Sequence, residues 1–382
     1  MSAETNEKTE TARARIVAAF EADGRLGRLR ERFSGRGAHL VGGAVRDVLA
    51  GVEPHELDVA IEGDAIALAL ELDPGATTHE RFGPASIDLE GGRVDLAMTR
   101  TETYANGGAL PYVSAASIDE DLRRRDFSVN AIAFSLDDAT LRDPHDGIAD
   151  LEAGVLRLLH PRSLHDDPTR ALRGARYSIR LGLEPDPATL AQLQTTPLGE
   201  VSAARIEAEL RRAAVESDPV AALQRLHSWG RAELHGDAQV ARKALSLLGE
   251  PRWSELDRGD VVLAATVIAC GKFEASGEEL ERAKELADAE VGSPAAALAT
   301  AHGAGEISLL LARALGSEWI DDYVDEWRRA KLEIDGEDLI AAGVEPGQAI
   351  GLGLAAAVEA KLEGSARDRA SQLEVALAAA RG

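Results

Sequence analysis

The stretch from Leu40 to Asp64, LVGGAVRDVLAGVEPHELDVAIEGD, constrains the fold more than any other part of the sequence. An apolar pair leads into Gly42 and Gly43, and a short helical segment follows. A glycine turn at the start of a helix exposes backbone N–H groups that bind phosphate well. A strand-like segment then carries Glu56 and Asp58, whose i, i+2 spacing points both carboxylates to one face of a strand. The stretch therefore predicts a strand, a turn, a helix and a second strand, with a phosphate cradle beside a carboxylate pair.

Each half of this pattern has a simpler explanation when it is taken alone. A lone glycine pair is more often a tight turn, and a lone E-x-D is more often a solvated strand edge. Together they gain weight, because Mg²⁺ is bound by one or two carboxylates plus the phosphates of a substrate. We therefore expect Glu56 and Asp58 to hold Mg²⁺, and Arg46 to add a charged donor to the phosphates. Asp95, in GGRVDLAM, is either a third carboxylate of this site or a structural residue.

The chain divides into two parts with different patterns. Residues 37–150 mix strand-like runs with turns, and the EGGR turn between SIDL and VDLAM predicts a hairpin. From about Asp150 onward, apolar residues recur at helical spacing. The predicted fold class is α+β, an α+β head joined to an all-helical remainder. Residues 1–36 are predicted to be a disordered start followed by a charged amphipathic helix.

The charge and the apolar runs exclude some classes of protein. A net charge of −24 argues against a generally basic nucleic-acid surface. It leaves room for a local basic groove, because the Debye length is roughly 8 Å at physiological salt. A single cysteine, Cys270, excludes an internal disulfide framework. The N-terminus has no apolar signal core, and the run Val261–Cys270 is too short to span a bilayer and is interpreted as a buried helix. We expect a soluble, cytoplasmic protein.

A second motif, DDPTRALRGARYSIR, combines charge with helical spacing. Asp167, Arg170, Arg173 and Arg176 recur every three residues, so on a helix they drift slowly around one side. Asp167 suits the N-cap, and the simple interpretation is a capped helix with i, i+3 ion pairs. Gly174 is expected to loosen this helix by up to about 1 kcal/mol.

Four segments in order resemble the class II nucleotidyltransferases. They are LVGGAVRDVLAG with ELDVAIEGDA, RFGPASIDLEGGRVDLAMTRTETYANGGALPYV, DLRRRDFSVNAIAF and DDPTRALRGARYSIRLG, within residues 38–182. That family includes bacterial tRNA CCA-adding enzymes, their CC-adding and A-adding relatives, and bacterial poly(A) polymerases. The resemblance implies a polymerase-β-like head at 37–150, a helical neck at 151–220, and a helical body and tail at 221–382, after an extension at 1–36.

The resemblance also implies roles for the phosphate-side residues. Gly43 and Arg46 would hold the triphosphate, with Gly42 supporting the turn. Arg125 would lie on the triphosphate or the ribose. Two further side chains would lie near the sugar, namely Asp126 and Asn130.

The helical motif would be the part that reads the base. In the family this helix acts as a protein template, and an Asp–Arg pair reads the Watson–Crick edges of ATP or CTP. By position the readers are Asp167 and Arg170, with Arg173 and Arg176 supporting them. The family usually has Ala where this chain has Gly174.

The sequence departs from the family pattern at the pair of carboxylates that binds metal. The family has Asp-x-Asp, and this chain has Glu56-x-Asp58, whose first carboxylate reaches one methylene further. Either Glu56 holds Mg²⁺ from a slightly retracted strand, or it marks a slow or inactive enzyme. Because the remaining motifs are intact, we expect an active enzyme.

The resemblance implies a Mg²⁺-dependent, template-independent RNA nucleotidyltransferase. It would add C, A or both from CTP and ATP to the 3′ end of tRNA and release pyrophosphate. Three alternatives stay open: a poly(A) polymerase or a CC- or A-adding variant, a catalytically weakened RNA-binding paralogue, and a small-molecule nucleotidyltransferase. Residues 183–382 show no convincing His-Asp pair, so we expect no phosphohydrolase domain of the HD type.

Overall fold

The computed structural model describes residues 3–22, 24–54, 57–78, 84–89, 92–105, 110–199 and 201–381. The chain forms two compact units. Unit 1 comprises residues 1–232 with 270–273, and unit 2 comprises residues 233–269 with 274–382. An α+β head joined to an all-helical remainder was predicted. The fold class is confirmed, and the remainder is mostly helical with a few short strands. The predicted boundaries at 36, 150 and 220 stay predictions.

The N-terminal segment is helical from its third residue, so the predicted disordered start is wrong. Helices α1 (Ala3–Ala22) and α2 (Gly24–Phe33) precede the first strand. Ile16 of α1 is fully buried in the same apolar core as Phe33 of α2. Burial of this apolar side chain stabilises a helix whose polar composition alone suggested disorder.

A mixed sheet forms the centre of unit 1. The strands of this unit are β1 (Ala38–Val41), β2 (Leu57–Ile61), β3 (Thr77–Thr78), β4 (Ala85–Leu89), β5 (Gly92–Met98), β6 (Arg100–Thr103), β7 (Tyr112–Ala115), β8 (Ala133–Ser135), β9 (Leu141–Arg142), β10 (Val155–Leu156) and β11 (Glu184–Pro185). Among the described residues the main sheet has seven strands in the order β3-β4-β5-β2-β1-β8-β9. The predicted hairpin joins β4 to β5. β2 and β5 pair in parallel, which sets Asp58 directly opposite Asp95.

Helices cover the sheet and continue beyond it. The later helices of unit 1 are α3 (Gly43–Leu49), α4 (Ala65–Leu72), α5 (Ile118–Arg123), α6 (Gly147–Ala153), α7 (Ser163–Asp166), α8 (Arg170–Leu181), α9 (Pro187–Thr195), α10 (Ala203–Ala214) and α11 (Pro219–Ser228). Strands β6 and β7 form a separate antiparallel hairpin. These elements supply the side chains of the site.

Helix α8 starts later than predicted, so Asp167 is not its N-cap. Pro168 and Thr169 form a turn in which the Arg170 N–H donates to the Asp167 carbonyl, and the regular helix begins at Arg170. The Asp167 carboxylate instead accepts from the N–H and hydroxyl of Thr169. Further along α8, Gly174 packs closely against Phe127. A Cβ at position 174 would lie 2.8 Å from Cζ of Phe127.

Unit 2 is mostly helical. Its helices are α12 (Ala238–Leu247), α13 (Arg258–Thr266), α14 (Glu278–Asp288), α15 (Pro294–Thr300), α16 (Glu306–Leu315), α17 (Trp319–Asp325), α18 (Gly336–Ala341), α19 (Gln348–Leu362) and α20 (Arg369–Arg381). The short strands in this part of the chain are β12 (Glu233–Leu234), β13 (Ile268–Cys270) and β14 (Phe273–Glu274); of their residues, Cys270 and Phe273 belong to unit 1. The run Val261–Cys270 is therefore helical only to Thr266, since Val267 adopts a left-handed conformation (φ 43°) that ends the helix. Across the described ranges, we find no helix with the length and apolar character needed to cross a membrane.

Candidate active site

A cavity of about 600 Å³ opens in unit 1 beside the glycine turn. Strands β1, β2 and β5, the β6–β7 hairpin and helices α5, α8 and α10 contribute to its wall. Among the described residues its wall carries seven arginines and six carboxylates. These are Arg93, Arg100, Arg124, Arg125, Arg170, Arg173 and Arg205, with Asp58, Asp95, Glu102, Asp121, Asp126 and Asp167. A chain of net charge −24 thus keeps a slightly positive lining here, which suits an anionic ligand.

The glycine turn, the second carboxylate of the predicted pair and Arg125 meet at one end of the cavity. Gly42 has φ 63°, and a Cβ there would lie 2.9 Å from Nη1 of Arg125 and 3.8 Å from Oδ2 of Asp58. Only a residue without a side chain allows this close approach in this backbone conformation. Gly43, the first residue of α3, also lines the cavity. The structure therefore brings together four residues that the sequence singled out.

Asp58 and Asp95 form a carboxylate pair across the parallel strands β2 and β5. They are register partners, and both line the cavity. Oδ1 of Asp95 accepts from Nε of Arg93 at 3.1 Å and from the hydroxyl of Ser86. Glu56, the first carboxylate of the predicted pair, lies outside the described residues. Within the described ranges, no group of three His, Cys, Asp or Glu side chains is arranged to hold a metal ion.

Arg46 lies beneath the cavity wall and not in it. The side chain is 2% exposed, and its Nε and Nη2 donate to Oδ1 of Asp47 at 2.9 and 2.7 Å. Nη1 donates to Oδ1 of Asn130 at 2.5 Å, and the guanidinium stacks 5.1 Å from the ring centre of Tyr177. In this arrangement Arg46 orients Asn130, and its predicted contact with phosphate stays a prediction.

Asp126 and Asn130 are buried at the cavity wall and form a network with the half-buried Arg173. Oδ2 of Asp126 lies 2.7 Å from Nη2 of Arg173, and Oδ1 accepts from Nδ2 of Asn130 at 3.0 Å. Burial on its own raises the pKa of Asp126, but Arg173 and the hydrogen bonds outweigh it and lower that pKa below its usual range. In turn, Asp126 raises the pKa of Arg173 well above its usual range. The Asp126 carboxylate is therefore negatively charged and forms an ion pair with Arg173.

The two predicted base readers both line the cavity but do not pair with each other. Arg170 is 4% exposed, and its Nη1 and Nη2 donate to Oγ of Ser163 and to the carbonyl of Arg124, each at 2.7 Å. Oδ1 of Asp167 accepts instead from Nη2 of Arg205 at 3.0 Å. The partner of Asp167 thus comes from α10, more than thirty residues along the chain.

Arg176 is the one predicted site residue of α8 whose side chain turns away from the cavity in the described structure. Its Nε donates to Glu216 at 2.9 Å, and its Nη1 donates to Glu209 at 3.3 Å. Arg180 joins the same cluster through Glu216. These ion pairs join α8 to α10 and to the segment after it, and the predicted supporting role of Arg176 stays a prediction.

Sequence reasoning missed a second network on the wall next to the β6–β7 hairpin. Glu102 accepts from Arg100, Arg124 and the hydroxyl of Tyr104, at 2.7 to 3.1 Å. Asp121 accepts from both Arg124 and Arg125. The signal for the second carboxylate was present, because Asp121 precedes the two arginines by three and four residues on one helical turn. No local signal marked Glu102 or Arg205.

The chain is similar in sequence and in structure to known proteins. Residues 38–157 match the family model of the poly(A) polymerase head domain. The chain is 34% identical to a CC-adding tRNA nucleotidyltransferase of Deinococcus radiodurans over 86% of this chain and 85% of that protein. It is 43% identical to an A-adding tRNA nucleotidyltransferase of Halalkalibacterium halodurans over 50% of this chain, and it spans about half of that relative, 48%. A solved Thermotoga maritima CCA-adding enzyme in complex with tRNA superposes with a TM-score of 0.66 at 25% identity, covering 93% of this chain and 95% of that one.

Proposed function

The chain belongs to the tRNA nucleotidyltransferase family, and from that premise we propose that it adds C, A or both to the 3′ end of tRNA, using CTP and ATP and releasing pyrophosphate. The observation that carries the proposal is that four of the predicted site residues line one and the same cavity. Gly42, Asp58 and Arg125 meet at one end of it, and Asp167 also lines its wall. The groups that we propose to bind phosphate and base thus line one space of nucleotide size.

The predicted family, fold class and enzyme class are confirmed. It leaves the roles of individual residues as proposals. The relative matched over most of its length adds CC, whereas about half of the A-adding relative is matched. CTP is therefore the first nucleotide to test. A cytoplasmic location stays a prediction.

The proposed reaction is an in-line displacement at the α-phosphorus. The 3′-oxygen of the RNA forms a new bond to that phosphorus, and its proton passes to solvent water. The bond from phosphorus to the bridging oxygen breaks, so that pyrophosphate departs. Arg125 and the N–H groups of the Gly42–Gly43 turn would bind the phosphates and hold them in line. Most of the rate enhancement would then come from positioning and from charge stabilisation.

The carboxylates present fit a divalent cation of the Mg²⁺ type. Asp58 and Asp95 face each other on adjacent parallel strands at the phosphate end of the cavity, and hard oxygen ligands are what Mg²⁺ prefers. Glu56 is the further ligand that the sequence indicates. When bound, Mg²⁺ would lower the pKa of the attacking hydroxyl and offset charge on the phosphates. Asp126 is committed to Arg173 and is not proposed as a ligand.

The test uses purified protein, Mg²⁺ and tRNA transcripts that end before CCA, after C or after CC. Each transcript is given CTP, ATP or both, and the 3′ ends are sequenced. Addition of CCA, CC, a single A or a run of A distinguishes the family variants. Asp58→Asn should lower the rate of addition by about 100-fold or more. Asp88→Asn, on the same sheet but outside the cavity wall, should leave that rate unchanged.

A binding paralogue gives a different pattern in the same assay. It would bind tRNA or CTP but extend no transcript, and Glu56→Asp would restore extension. That result would refute the proposed activity of the native chain.

A further inference from the structure

A separate pocket of about 400 Å³ lies in unit 1, and the proposed reaction does not use it. It opens between α1, the end of α3 with the segment that follows, α6 and the end of α8. None of the described residues that line this pocket also lines the active-site cavity. Its volume is large enough to hold a small molecule.

Much of the pocket lining is apolar. Leu49 and Ile148 are buried there, and the half-buried side chains of Leu151 and Leu181 also line the pocket. Val52, which is 51% exposed, lies at the same pocket. A ligand group that covers these side chains removes apolar surface from water, and each buried CH₂ of the ligand should tighten binding by about four-fold.

Two arginines line the same pocket, and each keeps hydrogen-bond donors unused. Arg15 of α1 is exposed, and its Nη2 donates to the carbonyl of Leu49 at 2.5 Å. Arg180 of α8 donates to Glu216 through Nε and Nη2, at 2.8 and 2.6 Å. Within the described part of the chain, Nη1 of neither guanidinium has a hydrogen-bond partner. Guanidinium N–H groups are well suited to bind a carboxylate.

The charges at the pocket define the class of ligand. Glu152 is the one carboxylate among its described lining residues, and its Oε2 lies 3.8 Å from Nζ of Lys8. Two arginines and one glutamate leave one net positive charge, which suits a ligand with one negative charge. We infer that this pocket is a second ligand site, which binds a small amphipathic monocarboxylate with its apolar chain among the leucines and its carboxylate against Arg15 and Arg180.

The experiment titrates the purified full-length chain with octanoate and measures the heat of binding. We expect saturable binding at one site. Hexanoate, which is two CH₂ groups shorter, should bind about fifteen-fold more weakly. 1-Octanol carries the same chain without the charge, and it should bind about ten-fold more weakly than octanoate because the hydrogen bonds from the arginines to a charged group are lost.

Variants assign the binding to this pocket. Arg15→Gln should weaken octanoate binding by about ten-fold and leave 1-octanol binding unchanged. Arg13→Gln is the matched control, because Arg13 lies on the same helix and also donates to a backbone carbonyl, that of Ala139, but does not line the pocket. Val52→Asp adds a negative charge at an exposed position, so it should also weaken binding of octanoate and spare 1-octanol. Should Arg15→Gln fail to fold, Val52→Asp carries the same expectation.

The absence of saturable octanoate binding overturns the inference. Octanoate binding that both Arg15→Gln and Val52→Asp leave unchanged also overturns it, because the ligand then binds elsewhere. Loss of octanoate binding in Arg125→Gln would place the ligand in the active-site cavity and would likewise refute the second site. The titration contains no nucleotide and no RNA, so its result is independent of the proposed function.

Discussion

Gly174 offers a test in which the sequence and the structure predict opposite results. In a helix interior, Gly→Ala stabilises by about 1 kcal/mol, and the helical motif alone predicts that gain for Gly174→Ala. In the structure, the added Cβ would lie 2.8 Å from Cζ of Phe127 and 3.6 Å from Cδ2 of Leu156. A separation of 2.8 Å is shorter than carbon atoms tolerate, so Phe127 has to move.

Phe127 has little freedom to move. The side chain is fully buried, and its ring meets Tyr177 edge-on with the centroids 5.9 Å apart. Its backbone N–H donates to Oδ1 of Asp126 at 2.8 Å. Overpacking of a core typically costs about 1 to 3 kcal/mol. After the helix-propensity gain is subtracted, we expect Gly174→Ala to lower the free energy of unfolding by up to about 2 kcal/mol.

Urea unfolding followed by circular dichroism measures this change, and a double-mutant cycle assigns its cause. Phe127→Leu removes the atom that the new methyl would strike. In that background Gly174→Ala should be neutral or stabilising. The coupling should then equal the overpacking cost that Phe127→Leu removes, about 1 to 3 kcal/mol. If Gly174→Ala stabilises the wild-type chain by about 1 kcal/mol, the close contact does not exist and the packing argument is wrong.

Three further predictions concern the cavity and its supports. Gly42→Ala should lower kcat/KM by about ten-fold or more, because the φ of Gly42 is 63° and the new methyl would lie 2.9 Å from Nη1 of Arg125. The control is Gly51→Ala, which is also at positive φ (75°) but has open space around it. This control should affect stability alone. Asp58→Asn should lower kcat by about 100-fold or more while CTP still binds, and wild-type kcat would contradict a role at the reacting atoms. The pKa of Asp126 is lowered by folding, so the stability that this carboxylate contributes is present above its unfolded pKa of about 3.9 and is lost as the pH falls below it. Unfolding free energies measured from pH 6 to pH 3 should therefore decline at the acid end, and the decline should be weaker in Asp126→Asn.

The sequence was informative where a function needs residues close together in the chain. The turn at Gly42, the hairpin between β4 and β5 and the helical motif at α8 are each encoded by neighbours within a few residues, and the structure contains all three. Asp58 was identifiable because the i, i+2 rule needs no knowledge of the tertiary fold. The residue patterns predicted the α+β head and the helical remainder, and the family resemblance added that the head is polymerase-β-like.

The sequence was uninformative where the partner comes from a distant segment. Arg205 meets Asp167 because α10 packs on α8, and no spacing within either helix indicates that contact. Arg46 turns inward because Asn130, 84 residues away, accepts its hydrogen bond. The fit of Gly174 against Phe127 is also set by tertiary packing, which is why helix propensity alone gives the wrong sign there.

Unit 1 is discontinuous in the chain, and this has a consequence for synthesis on the ribosome. The described residues that line the cavity end at Arg205, but the unit is completed by residues 270–273. Within that returning segment, a Cβ on Gly271 would lie only 2.9 Å from Cδ1 of Leu198, so the segment packs tightly beside the base of α10. At about 5 to 20 residues per second, the 68 residues from 205 to 273 take about 3 to 14 seconds to emerge. During that interval the nascent chain carries every described residue of the cavity wall but not the segment that closes its unit.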